Sequence, residues 1–455
     1  MPRMIFALCT VLSLAATTAS SAQNPARPPN VVIFYSDDLG WGELGLQGNK
    51  QIPTPHHDSI AANGIRFTQG YVAATYCSPS RAGLLTGRYP TRFGHEFNPA
   101  GARATAGLPL TEKTIADRFK AAGYATICVG KWHLGEDPKF YPTKRGFDEF
   151  YGTLANTPFF KPKLFMDTRK ATEVVEVTDE NFYTTDAYAE RACDFIDRSK
   201  DKPFLLYLPF NAQHAPLEAT PRYMERVKAL NITDPKRQLF AGMMLAMDDA
   251  IGKVLGKLRE QGLEENTLVW YVADNGGPTQ STTSTNLPLR GFKMTTNEGG
   301  TRVPFIVQWK GKLPAGKVYE NPVIQLDILP TTFAAIGKPL DTTADKLDGV
   351  NLLPFLNGEN TQRPHQTLYW RFGPQWAVRD GDWKLVASRI DNNTPRLINL
   401  AKDVAEENDL SAAHPEKVKE LQAKWDAWSK EQAAPAWKPA DMPKRKQLQR
   451  KKQAA

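Results

Sequence analysis

Two hydrophobic rhythms alternate along the chain. Segments 30–35, 124–129, 202–210, 267–273 and 303–309 are apolar at nearly every position. Unbroken apolar runs of this length predict strands buried on both faces. Between them, apolar positions recur every three or four residues over 111–122, 187–198 and 237–261. That spacing predicts helices, the first capped by Thr111 and the last ended by Gly262. Strands that alternate with helices predict an α/β chain with a mostly parallel sheet covered by helices on both faces.

The rhythm changes after about residue 365. Segments 368–371, 376–380 and 383–388 read as short strands with tight turns such as Asp380-Gly381-Asp382, and 415–430 as a helix. This predicts a smaller α+β unit with an antiparallel sheet. The expected division is a leader over 1–22, a main domain over 28–365, a C-terminal subdomain over 366–437 and a basic tail over 438–455.

A length of 455 residues suits a large domain plus a small one, and 41% hydrophobic content supplies a sizeable core. The net charge of +8 first suggests nucleic acid as partner. Six of those charges, Lys444, Arg445, Lys446, Arg450, Lys451 and Lys452, lie in the last twelve residues, and without them the charge falls to +2. The body is close to neutral, so no nucleic-acid partner is expected.

Arg3, the apolar stretch from Ile5 to Ala16, and the small residues Ser20 and Ala22 read as an export signal. The run is short for a transmembrane helix and no later one reaches eighteen residues, so the expected chain is exported, periplasmic or extracellular, without a membrane span. Leu8 before Cys9 argues against a lipid anchor. Cys77, Cys128 and Cys193 remain, an odd number that makes no disulfide framework. Cys128 and Cys193 sit in apolar periodic segments and are expected as buried thiols.

Two acidic pairs follow predicted strands: Asp37-Asp38 after 30–35, and Asp274-Asn275 after 267–273. Ligands gather beyond the carboxyl ends of strands in an open parallel sheet. Three carboxylates and an amide oxygen suit a hard cation, Ca2+ or Mg2+. The plainer alternative is that each pair caps a turn. His56 and His57 begin a helix-like stretch and read as structural. Asn231-Ile232-Thr233 fits a glycosylation pattern.

The run Cys77-Ser78-Pro79-Ser80-Arg81, followed by Leu85-Thr86-Gly87-Arg88, carries the most specific signal. It resembles the signature of the type I sulfatase family, Cys-x-Pro-Ser-Arg then Leu-Thr-Gly-Arg. The resemblance extends through most of the chain. It implies an alkaline-phosphatase-like α/β/α sandwich with a mostly parallel mixed sheet and a smaller C-terminal α+β domain. It also implies that a separate formylglycine-generating enzyme converts Cys77 to an aldehyde. Hydrated, that group attacks sulfate with one hydroxyl and expels it through the other, where a thiolate would form a dead-end adduct. Pro79 and Ser80 predict a turn into a helix from Ala82, whose start faces the anion.

By the same resemblance Asp37, Asp38, Asp274 and Asn275 hold Ca2+, touched by Cys77. Arg81 holds the diol and its charge. Gly130-Lys131-Trp132-His133-Leu134-Gly135 matches a family segment that places Lys131 and His133 in the sulfate pocket. His214 matches the residue assigned to leaving-group protonation, and Lys293 the basic residue beyond the second acid pair. His95 is a candidate contact to the sugar. Glu298 to Pro304 matches a structural segment, but Asn297 stands where the family has an aromatic residue, which bears on pocket shape. The implied substrate is a sulfated carbohydrate, with loop 156–179 and the C-terminal unit as candidates for its selection. Two other readings stay open: a phosphate or phosphonate ester hydrolase of the same superfamily, and a sulfated-glycan binding protein whose Cys77 is never converted.

Overall fold

The computed structural model describes residues 27–99 and 105–438. The expected leader, Cys9 and the basic tail from residue 439 lie outside the described residues. The strands in chain order are β1 (Asn30–Ser36), β2 (Ile65–Phe67), β3 (Gly70–Tyr71), β4 (Ala125–Lys131), β5 (Glu149–Thr153), β6 (Phe165–Asp167), β7 (Phe204–Pro209), β8 (Thr267–Ala273), β9 (Phe305–Gln308), β10 (Lys317–Tyr319), β11 (Val323–Ile324), β12 (Thr367–Phe372), β13 (Gln375–Asp380), β14 (Trp383–Ala387) and β15 (Pro395–Asn399). The helices are α1 (Pro55–Ala62), α2 (Cys77–Thr86), α3 (Ile115–Ala121), α4 (Thr184–Ser199), α5 (Pro221–Val227), α6 (Pro235–Glu260), the single turns α7 (Thr279–Thr282) and α8 (Glu298–Thr301), then α9 (Ile328–Ala335), α10 (Leu353–Leu356) and α11 (Pro415–Lys430).

Nine strands form one sheet in the order β10-β2-β9-β8-β1-β7-β4-β5-β6. Its centre, β8-β1-β7-β4-β5, is parallel throughout. Every residue of β1 and of β8 is buried, as unbroken apolar runs require when both faces are covered. β8 shows the two faces directly. Trp270 donates its indole N–H to Thr332 of α9 at 3.2 Å. The next residue, Tyr271, packs edge-on against His57 of α1 at 4.6 Å.

The C-terminal part is a four-stranded antiparallel sheet, β12-β13-β14-β15, with α11 on it. Trp376 stacks on Trp425, and Tyr369 on Trp428. The sheet is tied to the main body through buried charges. Lys384 of β14 donates to Glu298 at 2.8 Å and lies 3.2 Å from Glu406; Tyr71 of β3 donates to the other Glu298 oxygen at 2.6 Å.

Two expected helix starts need correction. The helix before β4 starts at Ile115, not at Thr111: Thr114 is its cap, in a capping box with Asp117. The helix of the Cys77 segment starts at Cys77 itself, not at Ala82. Pro79 is accommodated because it lies in the first turn, where its missing N–H removes no helical bond. Strand β9 pairs antiparallel with both neighbours. An unforeseen fourth strand, β15, completes the small sheet. Cys77, Cys128 and Cys193 are all buried free thiols.

Candidate active site

The sheet order decides which residues meet. β1 and β8 are adjacent and parallel, with Ser36 opposite Ala273. The pairs Asp37-Asp38 and Asp274-Asn275 therefore emerge side by side at the carboxyl edge. β7 and β4 follow on the other flank of β1, delivering His214 and Lys131 to the same edge. The first turn of α2 crosses above them with Cys77 as its first residue.

The Cys77 sulfur is 3.4 Å from Asp37 Oδ1 and 4.0 Å from Asp38 Oδ1. Lys293 Nζ is 3.1 Å from the sulfur and 2.6 Å from Asp38 Oδ1. Arg81 donates to Asp274 Oδ2 at 2.9 Å and to the carbonyl of Lys131 at 2.8 Å. Lys131 pairs with Asp37. His214 Nδ1 donates to the Ala215 carbonyl at 2.6 Å, which turns Nε2 toward Asp38, 3.7 Å away. Asp37, Cys77, Arg81, Lys131 and Asp274 have no exposed surface, whereas the side chains of His214 and Lys293 are 21% and 10% exposed, so the pit opens on their side.

Burial in this pit pushes the Cys77 thiol far above its ordinary pKa, and Lys131 and Lys293 offset this only in part. An unmodified thiol here is a poor nucleophile. Burial raises Asp37 too, but Lys131, His214, Arg81 and Lys293 together hold its carboxyl well below the usual range. Burial and then the charge of Asp37 lift Asp274 to about 7, against the pull of Arg81. His133 is held well below the ordinary histidine value by burial, then by Lys131 and Arg81. Its ring lies within their field, its Nδ1 has no partner, and its backbone has φ 60°.

The donor set fits a hard cation. Ligand atoms of Asp37, Asp38, Cys77 and Asp274 lie within 4.8 Å of one another. Asn275 donates its amide N–H to Asp38 Oδ1 at 2.8 Å, while its own Oδ1 is buried with no partner. A buried amide oxygen left unpaired beside three carboxylates is what an oxygen-coordinated cation would satisfy.

His95 sits apart from the pit. It is fully buried, its Nε2 lies 2.6 Å from Ser78 Oγ, and burial lowers its pKa to about 3. Asn98 accepts the Ser78 backbone N–H at 2.9 Å, and the Tyr76 ring lies 5.4 Å from Lys293 Nζ. No sequence signal separated Asn98 or Tyr76 from ordinary loop residues. Asn297 is buried with both amide atoms unpartnered. His57 is structural: Nδ1 lies 2.5 Å from Asp248.

Cations that converge on a deep pit at the edge of a parallel sheet suit an anionic tetrahedral group, and the class so defined is a hydrolase of oxyanion esters. The profile of the sulfatase family matches residues 29–338, and the chain belongs to that family. It is a sulfuric ester hydrolase. It is 35% identical to N-acetylgalactosamine-6-sulfatase of Canis lupus familiaris over 403 residues, 83% of this chain and 74% of the relative. Arylsulfatase A of Homo sapiens is 35% identical over 392 residues, 79% of this chain and 75% of the relative. Among solved structures, Ps i-CgsB in complex with k-i-k-neocarrahexaose matches with a TM-score of 0.82 at 33% identity, over 90% of this chain and 95% of that one.

Proposed function

We propose that this chain is an exported sulfatase that removes sulfate from a sulfated carbohydrate, with Cys77 converted to formylglycine and Ca2+ held by Asp37, Asp38, Asp274 and Asn275. The observation that carries this reading is the position of the Cys77 sulfur, wedged between Asp37 at 3.4 Å and Lys293 at 3.1 Å. A cysteine so placed is poor as a thiol and well placed as a modified nucleophile. The carbohydrate part rests on relatives: one is named for an amino-sugar sulfate, and another was solved with a neocarrahexaose. Export rests on the pattern of residues 1–22.

The hydrated aldehyde supplies a hydroxyl that attacks sulfur and a second hydroxyl through which sulfate is expelled. Ca2+, or Mg2+ in its place, supplies positive charge for the ester oxygens. Lys131, Lys293 and Arg81 each pair with a carboxylate of the acidic cluster. At these positions Lys131 and Lys293 would bind the ester oxygens, and Arg81 would hold the nucleophile. With His214 Nδ1 fixed on a carbonyl, a second proton can sit only on Nε2, the nitrogen that faces the pit. His214 delivers that proton to the leaving sugar oxygen. His133 adds a donor to the sulfate pocket. His95 acts on the sugar side indirectly, by fixing Ser78 in the first turn of α2. Because Cys77 is wholly buried, the maturation enzyme must reach it before the chain folds.

The test is release of free sulfate from a panel of sulfated polysaccharides and monosaccharides, using protein co-expressed with a formylglycine-generating enzyme, with Ca2+ present. Calcium-dependent release from one carbohydrate supports the reading. Faster turnover of phosphate than of sulfate esters would overturn it.

A further inference from the structure

A groove of about 990 Å³ runs along α3. Its floor is apolar and includes Leu110, 59% exposed, together with Phe333 and Leu340. Its rim carries Lys113, Lys139, Lys144 and Lys338. The acids nearby are already engaged. Glu112 pairs with Arg88 at 2.6 Å, and Asp117 closes the capping box of α3. Lys113 and Lys144 meet no carboxylate among the described residues. Lys139 has only Asp137, at 3.6 Å, and Lys338 reaches a carbonyl, that of Ala122, at 3.4 Å. The rim therefore carries an excess of positive charge, with Lys139 alone of its four lysines facing a carboxylate among the described residues.

The groove reaches the catalytic end of the sheet. Leu108 donates its N–H to the carbonyl of Leu134, just beyond the end of β4, whereas Ala122 precedes the start of β4. The α3 segment thus spans the length of β4, and its Lys113 end lies at the edge where Lys131 emerges. A second hollow of about 450 Å³ shares Leu110 and Lys139 with the groove and is walled by Phe140 and Trp437. Trp437 packs edge-on against His95 at 4.7 Å, and His95 holds Ser78, the residue after Cys77. From the back of the Cys77 turn outward, the surface is first aromatic and then cationic.

We propose that these two hollows form one additional binding site for a sulfated glycan chain, held apart from the ester being cleaved. This rests on the sulfated-carbohydrate reading above. Sugar rings present apolar faces to Trp437 and Leu110, while sulfates along the chain meet Lys139, Lys113, Lys144 and Lys338. The occupant is an anionic polymer and not this chain's own C-terminal segment. Residues 439–455 carry six Lys or Arg against Asp441 alone, the same sign as the rim.

The test is affinity electrophoresis of the full chain through gels containing dextran sulfate or neutral dextran. Dextran sulfate retards the parent protein and neutral dextran does not. The combined variant Lys113→Glu, Lys139→Glu, Lys144→Glu binds dextran sulfate about tenfold more weakly at low ionic strength. It keeps its melting temperature and its turnover of a sulfated monosaccharide. A second variant, with the six cations after residue 443 changed to Gln, separates the tail from the groove. Equal retardation of the triple variant and the parent, or retardation lost only in the tail variant, overturns the site. Retardation through the groove by a protein that frees sulfate from no carbohydrate supports the groove and contradicts the carbohydrate reading.

Discussion

Lys293 Nζ stands 3.1 Å from the Cys77 sulfur and 2.6 Å from Asp38 Oδ1, bridging the expected nucleophile and the acidic cluster. Burial alone would lower its pKa, but Asp38, and after it Cys77 and Asp37, raise it well above the ordinary lysine value. Lys293 is a fixed cation at working pH. Lys293→Ala is expected to reduce kcat/KM for sulfate release by about 10²- to 10³-fold, the usual cost of one preorganised donor to a developing negative charge. Steady-state kinetics on the best panel substrate checks this; an unchanged kcat/KM contradicts it.

The unpartnered Asn275 Oδ1 and the three carboxylates are the groups that would hold the proposed Ca2+. Dialysis against a chelator is expected to lower the melting temperature and abolish sulfate release, and added Ca2+ to restore both. Asn275→Ala is expected to shift the Ca2+ concentration for half-restoration upward by about 10- to 100-fold. A melting temperature indifferent to chelator contradicts the assignment.

Lys384 has no exposed surface and is compensated by Glu298 and Glu406, both buried as well. Lys384→Met leaves buried Glu406 without its cation and Glu298 with Arg302 alone, at 3.5 Å. Removing one partner of such a set costs about 3–5 kcal/mol. Because Glu298 begins α8 in the main body and Lys384 lies on the C-terminal sheet, loosening of that sheet is expected first. Denaturant titration followed by tryptophan fluorescence measures it, since Trp376, Trp425 and Trp428 report on that sheet.

His365 lies 2.7 Å from buried Asp327. Burial pulls its pKa down, but the Asp327 charge outweighs this and the pKa rises above 6.5. A raised folded-state pKa adds stability that is fully present below the unfolded value and is lost as pH rises through the folded one. The gap in melting temperature between the parent and His365→Gln is therefore expected to be larger at pH 5.5 than at pH 9. A gap that grows with pH contradicts this.

How much of this was legible follows from which interactions are local. The runs of β1 and β8 announce strands buried on both faces, and their trailing Asp37-Asp38 and Asp274-Asn275 announce the carboxyl edge. Only the strand order shows that the two pairs are neighbours. The antiparallel direction of β9 is set by its partners and not by its own four apolar residues. β15 begins with Pro395 and carries Arg396 and Asn399, an edge-strand composition that resembles a loop. Asn98 reaches Ser78 from 20 residues along the chain, and nothing in the sequence marks the burial of His95 behind Ser78. The groove along α3 is invisible in sequence because its lysines come from three separate segments.

Converted Cys77 is the proposed nucleophile. The most direct measurement pairs the mass of the peptide containing residue 77 with sulfate release, for parent protein made with and without a formylglycine-generating enzyme and for Cys77→Ser. Release is expected to scale with the aldehyde fraction and to be lost in Cys77→Ser, which keeps its fold. Equal release from fully unconverted protein, or from Cys77→Ser, would contradict it.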